Sequence, residues 1–214
     1  MKASRTVGAL AILAALALVT ALPALAAEQT YSIDSGHSTI GFRIRHLVSK
    51  VSGTFNKFSG EIKMDPANMT KGSVNLEIET ASIDTRSERR NGHLRSPDFF
   101  AADSFPTITF KSTKVTQKGE DHLVVDGLLT MRGVTKPITL DVAFGGVLED
   151  SKMGTRAGFD VTGKLDRKEF GIVWNGTLDK GGTVLGDDVE LMIGIEAVEE
   201  TPEPAGGKGE AKKG

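Results

Sequence analysis

Apolar and polar residues alternate along most of this chain, and the segment GSVNLEIET shows the pattern most clearly. Val74, Leu76 and Ile78 occupy every second position, with serine, asparagine and glutamate between them. Successive side chains of a strand point to opposite faces, so this spacing places the apolar residues on one buried face. The segment is therefore predicted to be a strand with one face in the core and the other in water.

Further segments repeat this period of two along the chain. Their apolar positions are Ile40, Phe42 and Ile44; Phe58, Ile62 and Met64; Ile108 and Phe110; Leu123, Val125, Leu129 and Met131; Ile138, Leu140, Val142 and Phe144; Ala157, Phe159, Val161 and Leu165; and Val189, Leu191, Ile193 and Ile195. Turn sequences such as Lys118-Gly119 and Gly145-Gly146 have the spacing that is typical of hairpins. The pattern predicts about eight strands.

Short connections between successive strands favour antiparallel neighbours, and closing such a sheet into a barrel removes its exposed edges. We therefore predict an all-β, antiparallel, up-and-down barrel, with a two-sheet sandwich as the alternative. The longest segment without alternation runs from Ser82 to Pro106 and contains RRNGHLRSPDFF. A short helix is expected in this crossover, around residues 84–104. Long irregular insertions in compact β domains are often functional.

The N-terminal segment has the composition of a secretory signal peptide. Residues 1–26 combine Lys2 and Arg5 with a run rich in Ala, Leu and Val, and they end in Ala24-Leu25-Ala26. The apolar run is short for a membrane span, so a permanent anchor is only the alternative. Cleavage after Ala26 would deliver the mature protein to the periplasm.

The C-terminal segment has a different composition from the rest of the chain. From Glu199 the sequence ETPEPAGGKGEAKKG contains no large apolar residue, which predicts a disordered tail over 199–214. The expected organisation is a signal peptide over 1–26, one domain over 28–198 and this tail.

The charge balance argues against nucleic acid as a partner. The chain has 26 lysines and arginines against 28 aspartates and glutamates. Removing Lys2 and Arg5 leaves 24 against 28, a balance of −4, whereas nucleic-acid-binding domains carry a basic excess. The absence of cysteine from the sequence excludes disulfides, a thiol nucleophile and Cys-ligated metals.

Catalytic motifs are not found in the sequence. It lacks a nucleophile elbow, an H-E-x-x-H zinc motif, a phosphate-binding loop and an acidic calcium loop. Asp34 and His37 next to Ser35 or Ser38 match a hydrolase triad in composition only, because no oxyanion-hole motif accompanies them. None of the histidines has the spacing of a metal-ligand motif. They are His37, His46, His93 and His122. The prediction is a protein with no catalytic residues, no metal site and no cofactor.

The aromatic residues narrow the chemistry of the interior. Ten phenylalanines accompany one tryptophan and one tyrosine, so few of the aromatic side chains carry a polar group. In a small closed barrel the apolar strand face points inward, where it either fills the lumen or lines a cavity for one small ligand. The pattern alone leaves both alternatives open.

Short motifs follow one another in an order that carries a family resemblance. They are His37-Ser38-Thr39-Ile40-Gly41-Phe42, Arg45-His46-Leu47, Gly53-Thr54-Phe55, Phe58-Ser59-Gly60, Ile83-Asp84-Thr85, Arg90, His93-Leu94-Arg95-Ser96, Asp98-Phe99-Phe100, Phe105-Pro106, Ile108-Thr109-Phe110-Lys111-Ser112, Gly127-Leu128-Leu129-Thr130, Gly133-Val134-Thr135-Lys136-Pro137, Asp166-Arg167 and Phe170-Gly171. This ordered set resembles the YceI-like family of bacterial periplasmic proteins. The resemblance covers essentially residues 28–198.

The resemblance implies a lipocalin-like barrel with a helix in the crossover and an elongated apolar interior. Such an interior holds a polyisoprenoid or a similar long-chain amphiphile, and no shared catalytic reaction is implied. Burying hydrocarbon yields roughly 0.8 kcal/mol per CH₂, so an apolar tunnel alone could provide the affinity. The expected ligand is an isoprenoid lipid such as a quinone or a prenyl phosphate. The tunnel candidates are Phe42, Ile44, Phe58, Leu76, Phe110, Leu129, Phe144 and Phe159.

Polar contacts to the head group are expected from Arg90, His93 and Arg95, because arginine pairs well with phosphate oxygens. The alternative is that these side chains only hold the crossover in place. Where the family usually has Arg-Asp, this chain has Arg90-Asn91. The missing carboxylate leaves the Arg90 guanidinium freer to meet a ligand.

The leading hypothesis is a non-catalytic periplasmic carrier or sequestering protein for an isoprenoid lipid. One alternative is a filled barrel that serves as a stress-related structural or interaction protein. The other is an enzyme that acts on the bound lipid, with His93 or His46 as general base. The expected partner is a lipid, with no nucleic acid and no stable membrane insertion after signal cleavage. A homodimer is compatible with the sequence.

Overall fold

The structure, a computed structural model, describes residues 28–179 and 181–200. Within these ranges the chain forms eleven strands and one α-helix. The strands are β1 (Gln29–Ile33), β2 (Thr39–His46), β3 (Ser49–Phe55), β4 (Phe58–Met64), β5 (Ser73–Glu79), β6 (Ile83–Asp84), β7 (Thr107–Gln117), β8 (His122–Met131), β9 (Val134–Asp150), β10 (Gly154–Asp166) and β11 (Leu185–Glu199). The helix is α1 (Glu88–Arg95), between β6 and β7.

Eight of the strands close into a barrel. The order around it is β1, β4, β5, β7, β8, β9, β10 and β11, and the pair Tyr31 and Glu199 joins β11 back to β1. All of these pairings are antiparallel. The predicted eight-stranded antiparallel barrel is confirmed, and closure of the ring excludes the two-sheet sandwich.

The remaining strands form a branch at one end of the barrel. β11 pairs with β2 over residues 185–194, and β2 continues to β3 and then β6. The alternating pattern missed β1, β3 and β6. β1 and β6 are short, with five and two residues. In β3 the inward position between Val51 and Phe55 is Gly53, so the apolar alternation is interrupted there. Phe42 packs over this gap, because a Cβ atom at Gly53 would lie 2.5 Å from its Cζ.

The inward faces of the strands form one hydrophobic core, as β8 illustrates. Every second residue from Leu123 to Met131 is buried, and the residues between them are intermediate or exposed. Burying an aliphatic or aromatic side chain of this size contributes roughly 1.5–3 kcal/mol. The period of two in the sequence therefore becomes the wall of the barrel interior.

The predicted crossover helix is confirmed as α1, which lies inside residues 84–104. Glu88 is in its first turn and Arg95 in its last, the order that the helix dipole favours. After α1, Phe99 is buried, and Phe100 meets Phe55 of β3 edge to face at 5.7 Å. The crossover therefore packs against the branch end of the barrel.

The barrel extends beyond its predicted C-terminal boundary at residue 198. Glu199 belongs to β11 because it pairs with Tyr31, and the Glu200 amide donates to the Thr30 carbonyl at 2.8 Å. The predicted tail therefore cannot begin at Glu199. The predicted signal peptide and residues 201–214 lie outside the described residues. None of the helices in the described ranges is long and apolar enough to cross a membrane.

Candidate functional site

The barrel encloses an apolar cavity of about 320 Å³, here called the outer cavity. Its walls are the inward faces of β2, β3, β5, β7, β8, β9 and β11, and α1 closes part of one end. Apolar lining residues include Ile40, Phe42, Ile44, Phe55, Leu129 and Leu191. Small-molecule sites typically measure about 300–1,000 Å³ and are lined mainly by apolar groups. The outer cavity has the size and chemistry of such a site.

A smaller cavity of about 100 Å³, here called the inner cavity, lies further along the barrel. Its lining comes mainly from β4, β5, β7, β8, β9, β10 and β11, and it is apolar except for Lys63 and Ser73. Some residues line both cavities. They are Leu76, Phe110, Leu140 and Ile193.

The polar side chains of the outer cavity lie together at one end. They are His46, Thr85, Arg90, His93 and Arg167. His93 contacts Trp174, and Arg167 donates to the Trp174 carbonyl at 2.8 Å. The cavity lining includes no aspartate or glutamate among the described residues. An amphiphile in this cavity would therefore have its tail among strand side chains and its head near two guanidinium groups.

A buried amide fixes the start of α1. Asn91 is 5% exposed, and its Oδ1 accepts from the Thr85 amide at 2.8 Å and from Thr85 Oγ1 at 2.7 Å. Its Nδ2 donates to Asp84 Oδ1 at 3.0 Å. Hydrogen bonds from the Arg86 amide and from Asn91 lower the pKa of Asp84. Asn91 uses both its donor and its acceptor, which an aspartate in the same place could not do.

Arg90 is held by Thr85 on the same crossover. Its Nε donates to Thr85 Oγ1 at 2.8 Å, and one terminal nitrogen donates to the Thr85 carbonyl at 2.6 Å. Two of its guanidinium nitrogens are therefore already bonded to the crossover. The hydroxyl and carbonyl of Thr85 are neutral, however, so Arg90 keeps its net positive charge at the cavity.

His93 belongs to an aromatic cluster at the polar end. Its ring meets Phe99 at 5.0 Å and Trp174 at 4.9 Å, both edge to face, and Phe99 meets Trp174 at 5.2 Å. His93 Nε2 lies 2.9 Å from Asp98 Oδ2. Edge-to-face contacts of this kind contribute about 0.5–1.5 kcal/mol beyond their buried area. The cluster connects α1 to the segment that follows β10.

Arg167 holds the segment after β10, which contains Trp174, in place through hydrogen bonds to its backbone. It is 2% exposed and donates to the carbonyls of Gly186 at 2.9 Å, Ile172 at 2.7 Å and Trp174 at 2.8 Å. A longer contact of 3.4 Å reaches Asp187 Oδ1. Burial lowers the pKa of Arg167 from its ordinary value. The guanidinium therefore satisfies the backbone carbonyls around Trp174 and places a buried positive charge at the polar end of the cavity.

Comparison with known proteins places this architecture. The family model described as a YceI-like domain matches residues 31–197. The chain belongs to the YceI-like family. It is 44% identical over 160 residues to a UPF0312 protein of Vibrio cholerae, covering 73% of this chain and 85% of that protein. It is 40% identical over 184 residues to protein YceI of Salmonella arizonae, covering 86% and 93% of the two chains.

Several solved structures are similar to this one. The Campylobacter jejuni YceI protein has a TM-score of 0.64 at 33% identity, over 78% of this chain and 96% of that one. Burkholderia cenocepacia BcnA has a TM-score of 0.67 at 27% identity, over 78% and 99%. A polyisoprenoid binding domain from Saccharophagus degradans has a TM-score of 0.58 at 16% identity, over 80% and 99%, which shows a shared fold.

The predicted tunnel residues fall into two groups in this YceI-like barrel. Those that line a cavity are Phe42, Ile44, Leu76, Phe110, Leu129 and Phe159. Phe58 and Phe144 line neither cavity and instead pack against the core from partly buried positions. Phe144 lies against Phe159 at 5.4 Å, and Phe58 pairs with Ile78. The alternating pattern predicts which side chains of a strand point inward, but it does not predict whether an inward side chain lies at the level of a cavity.

The predicted polar residues also divide. Arg90 and His93 line the outer cavity and Arg95 does not. Arg95 is bonded to the Glu88 carboxylate, and it also contacts the Ala81 carbonyl at 3.4 Å. Residues seven apart in a helix return to nearly the same face, which explains why Arg95 meets Glu88 away from the cavity. Arg95 therefore lies outside the cavity lining, and its head-group role stays a prediction.

The Asp34 and His37 pair lies outside both cavities. Asp34 Oδ2 is 2.8 Å from His37 Nδ1 and 3.0 Å from an Arg156 nitrogen, and Arg156 also bonds Glu196. Hydrogen bonds from His37 and Arg156 lower the pKa of Asp34 to about 2. Ser38 bonds the Glu196 backbone instead of His37. Asp34, His37 and Glu196 have ligand atoms close enough to share an ion, and Arg156 pairs with both of the carboxylates.

Some cavity residues had no predicted role. Thr85 and Arg167 occurred only as parts of motifs, and Trp174 lies in a segment without alternation. Thr85 and Arg167 each directly follow the last residue of a strand, whereas Trp174 lies in the long connection between β10 and β11. These positions are a weak signal, because their proximity depends on contacts between distant parts of the chain.

Proposed function

We propose that this YceI-like barrel is a non-catalytic periplasmic protein that binds and carries a polyisoprenoid or similar long-chain amphiphilic lipid. The observation that carries the proposal is the outer cavity, which is apolar along the strands and polar only at the α1 end. The Saccharophagus degradans neighbour is described as a polyisoprenoid binding domain. At 16% identity this neighbour supports only the fold. The proposed ligand class therefore rests on the size and chemistry of the outer cavity.

The chemistry of the polar end favours a head group that accepts hydrogen bonds or carries negative charge. Arg90 and Arg167 both line the cavity. A quinone carbonyl and a prenyl phosphate both meet this requirement, and phosphate gains more because charge-assisted hydrogen bonds are stronger.

Arg90→Ala is expected to weaken prenyl phosphate binding more than quinone binding. Arg89→Ala is the matched control, because it removes the same charge from a residue that does not line the cavity. Equal losses for both ligands in Arg90→Ala would indicate a purely structural arginine.

The arrangement of the polar side chains supports binding over catalysis. Thr85 Oγ1 donates to Asn91 and accepts from Arg90, and His93 is packed between Phe99 and Trp174. The Thr85 hydroxyl is therefore used by hydrogen bonds within the crossover, and the His93 ring is held by its aromatic contacts and by Asp98. Turnover of a prenyl substrate that disappears in His93→Ala would contradict this part of the proposal.

Native mass spectrometry of the gently purified protein tests the proposal. We expect a bound lipid with a long hydrocarbon tail, recovered unchanged on extraction, and a mass that also reports whether the protein is a monomer or a homodimer. The mature chain is expected to begin at Ala27 in a periplasmic extract. Repeated recovery of an empty barrel that also binds no added prenyl lipid would overturn the proposal.

A further inference from the structure

The outer cavity and the inner cavity adjoin at one shared set of side chains. Leu76 of β5, Phe110 of β7, Leu140 of β9 and Ile193 of β11 line both cavities, and we call these residues the partition. A hydrocarbon tail that enters from the polar end meets the partition before it reaches the inner cavity. The interior is therefore two chambers in series.

Two members of the partition lie over glycines of neighbouring strands. A Cβ atom at Gly127 of β8 would be 2.3 Å from Phe110 Cε2, and a Cβ atom at Gly163 of β10 would be 2.7 Å from Leu140 Cδ2. A larger residue at Gly163 would push Leu140 toward the lumen, and one at Gly127 would displace the Phe110 ring and also press on the Lys111 carbonyl, 2.8 Å from the added Cβ. The two glycines therefore determine how far the partition reaches across the barrel.

We infer that Phe110 and Leu140, packed on Gly127 and Gly163, set the length of lipid tail that the barrel accepts. The inference rests on the proposed lipid-binding function and adds a specificity determinant to it. A tail that fits the outer cavity binds without rearrangement, and a longer tail must first displace the Phe110 ring. The inner cavity adds about 100 Å³ to about 320 Å³, so an open partition gives the tail about a third more volume.

Close packing makes this barrier effective. Phe110 is 6% exposed and Leu140 is 8% exposed, so each is enclosed by other core side chains. Side chains in a close-packed interior occupy defined rotamers and move only when their neighbours also move. Affinity should therefore rise with tail length until the outer cavity is full and then stop rising.

The test compares the binding of geraniol, farnesol, geranylgeraniol and a longer polyprenol to delipidated protein. Trp174 is the only tryptophan in the chain and lines the outer cavity, so its fluorescence reports binding. Native mass spectrometry checks the stoichiometry. The variants are Phe110→Leu, Phe110→Ala and Gly127→Ala. Phe58→Ala is the matched control, because it removes the same ring from a strand position that lines neither cavity.

In the wild type we expect affinity to level off before the longest probe. Phe110→Leu and Phe110→Ala should raise affinity for the longest probe about tenfold, since a few newly buried carbons exceed the free energy of one decade. Gly127→Ala should lower it by a similar factor, because it drives the ring inward. Phe58→Ala should keep the wild-type length profile. Circular dichroism first checks folding, and Phe110→Leu carries the test if Phe110→Ala does not fold.

The possible outcomes distinguish a failure of the tail-length inference from a failure of the proposed lipid binding. If the wild type binds every probe and all variants share its length profile, the partition does not limit tail length, although lipid binding stands. If the folded wild type binds no probe of any length, the proposed function itself fails. Opposite shifts for Phe110→Leu and Gly127→Ala support the inference.

Discussion

Arg167 is the buried charge on which the polar end of the cavity depends, and its removal should be one of the most damaging single changes in the protein. Hydrogen bonds to charged groups contribute about 1.5–3 kcal/mol each. The guanidinium makes three such bonds, to the carbonyls of Ile172, Trp174 and Gly186. Arg167→Ala also removes the cost of burying the charge, so the expected loss is about 3–5 kcal/mol, less than the sum of the bonds.

Lys168→Ala is the matched control for this change. Lys168 lies on the same turn, and its ammonium pairs with Asp187 at 2.8 Å while both side chains are nearly half exposed. Exposed pairs of this kind contribute about 0–1 kcal/mol. For a domain of this size, Arg167→Ala should lower Tm by roughly 6–20 °C and Lys168→Ala by less than about 4 °C.

Urea unfolding followed by far-UV circular dichroism gives both free energies of unfolding, and Trp174 fluorescence gives a local reading. We expect Arg167→Ala to expose Trp174 to water and to shift its emission to longer wavelength. Arg167→Lys should be intermediate, because an ammonium cannot reproduce the fork of the guanidinium. A loss in Arg167→Ala that equals the loss in Lys168→Ala would refute the reasoning.

Two further predictions concern glycines and acid stability. Gly53→Ala should destabilise the fold by about 1–3 kcal/mol, because its Cβ would lie 2.5 Å from Phe42 Cζ, whereas Gly92→Ala should stabilise it by about 0.4–1 kcal/mol. Gly92 is in α1 with no atom within 4 Å of an added Cβ, so similar urea midpoints for the two variants would contradict the packing argument. The pKa of Asp34 is lowered to about 2, so the stability that its ionised form provides is present near neutral pH and is lost as the pH falls toward that value. Asp34→Asn should flatten this part of the pH profile of urea unfolding, and an unchanged profile would show that ionised Asp34, bonded to His37 and Arg156, does not provide this stability.

Much of the barrel could be predicted from the sequence because a strand's period is local. Residues two apart along β5 or β8 share a face whatever the rest of the chain does. The strands that escaped prediction are those in which this local signal is short or interrupted, as at Gly53 of β3. The crossover helix could be predicted because RRNGHLRSPDFF breaks the alternation.

The candidate site was less predictable because it depends on contacts between distant segments. Arg90 and His93 are three apart in α1 and share a face, whereas Arg95 turns toward Glu88. The division into two cavities depends on how far Phe110 and Leu140 reach over glycines in other strands. The alternation of apolar and polar residues does not show which strand is the neighbour, and it does not show how far a side chain reaches into the barrel.

The location of the lipid can be seen in a crystal structure of the protein purified with its ligand retained. We expect one continuous tail in the outer cavity, ending at or displacing Phe110, with the head group beside Arg90 and His93. A barrel that crystallises empty after purification without detergent or organic solvent, or a head group at the Lys63 end, would contradict this expectation.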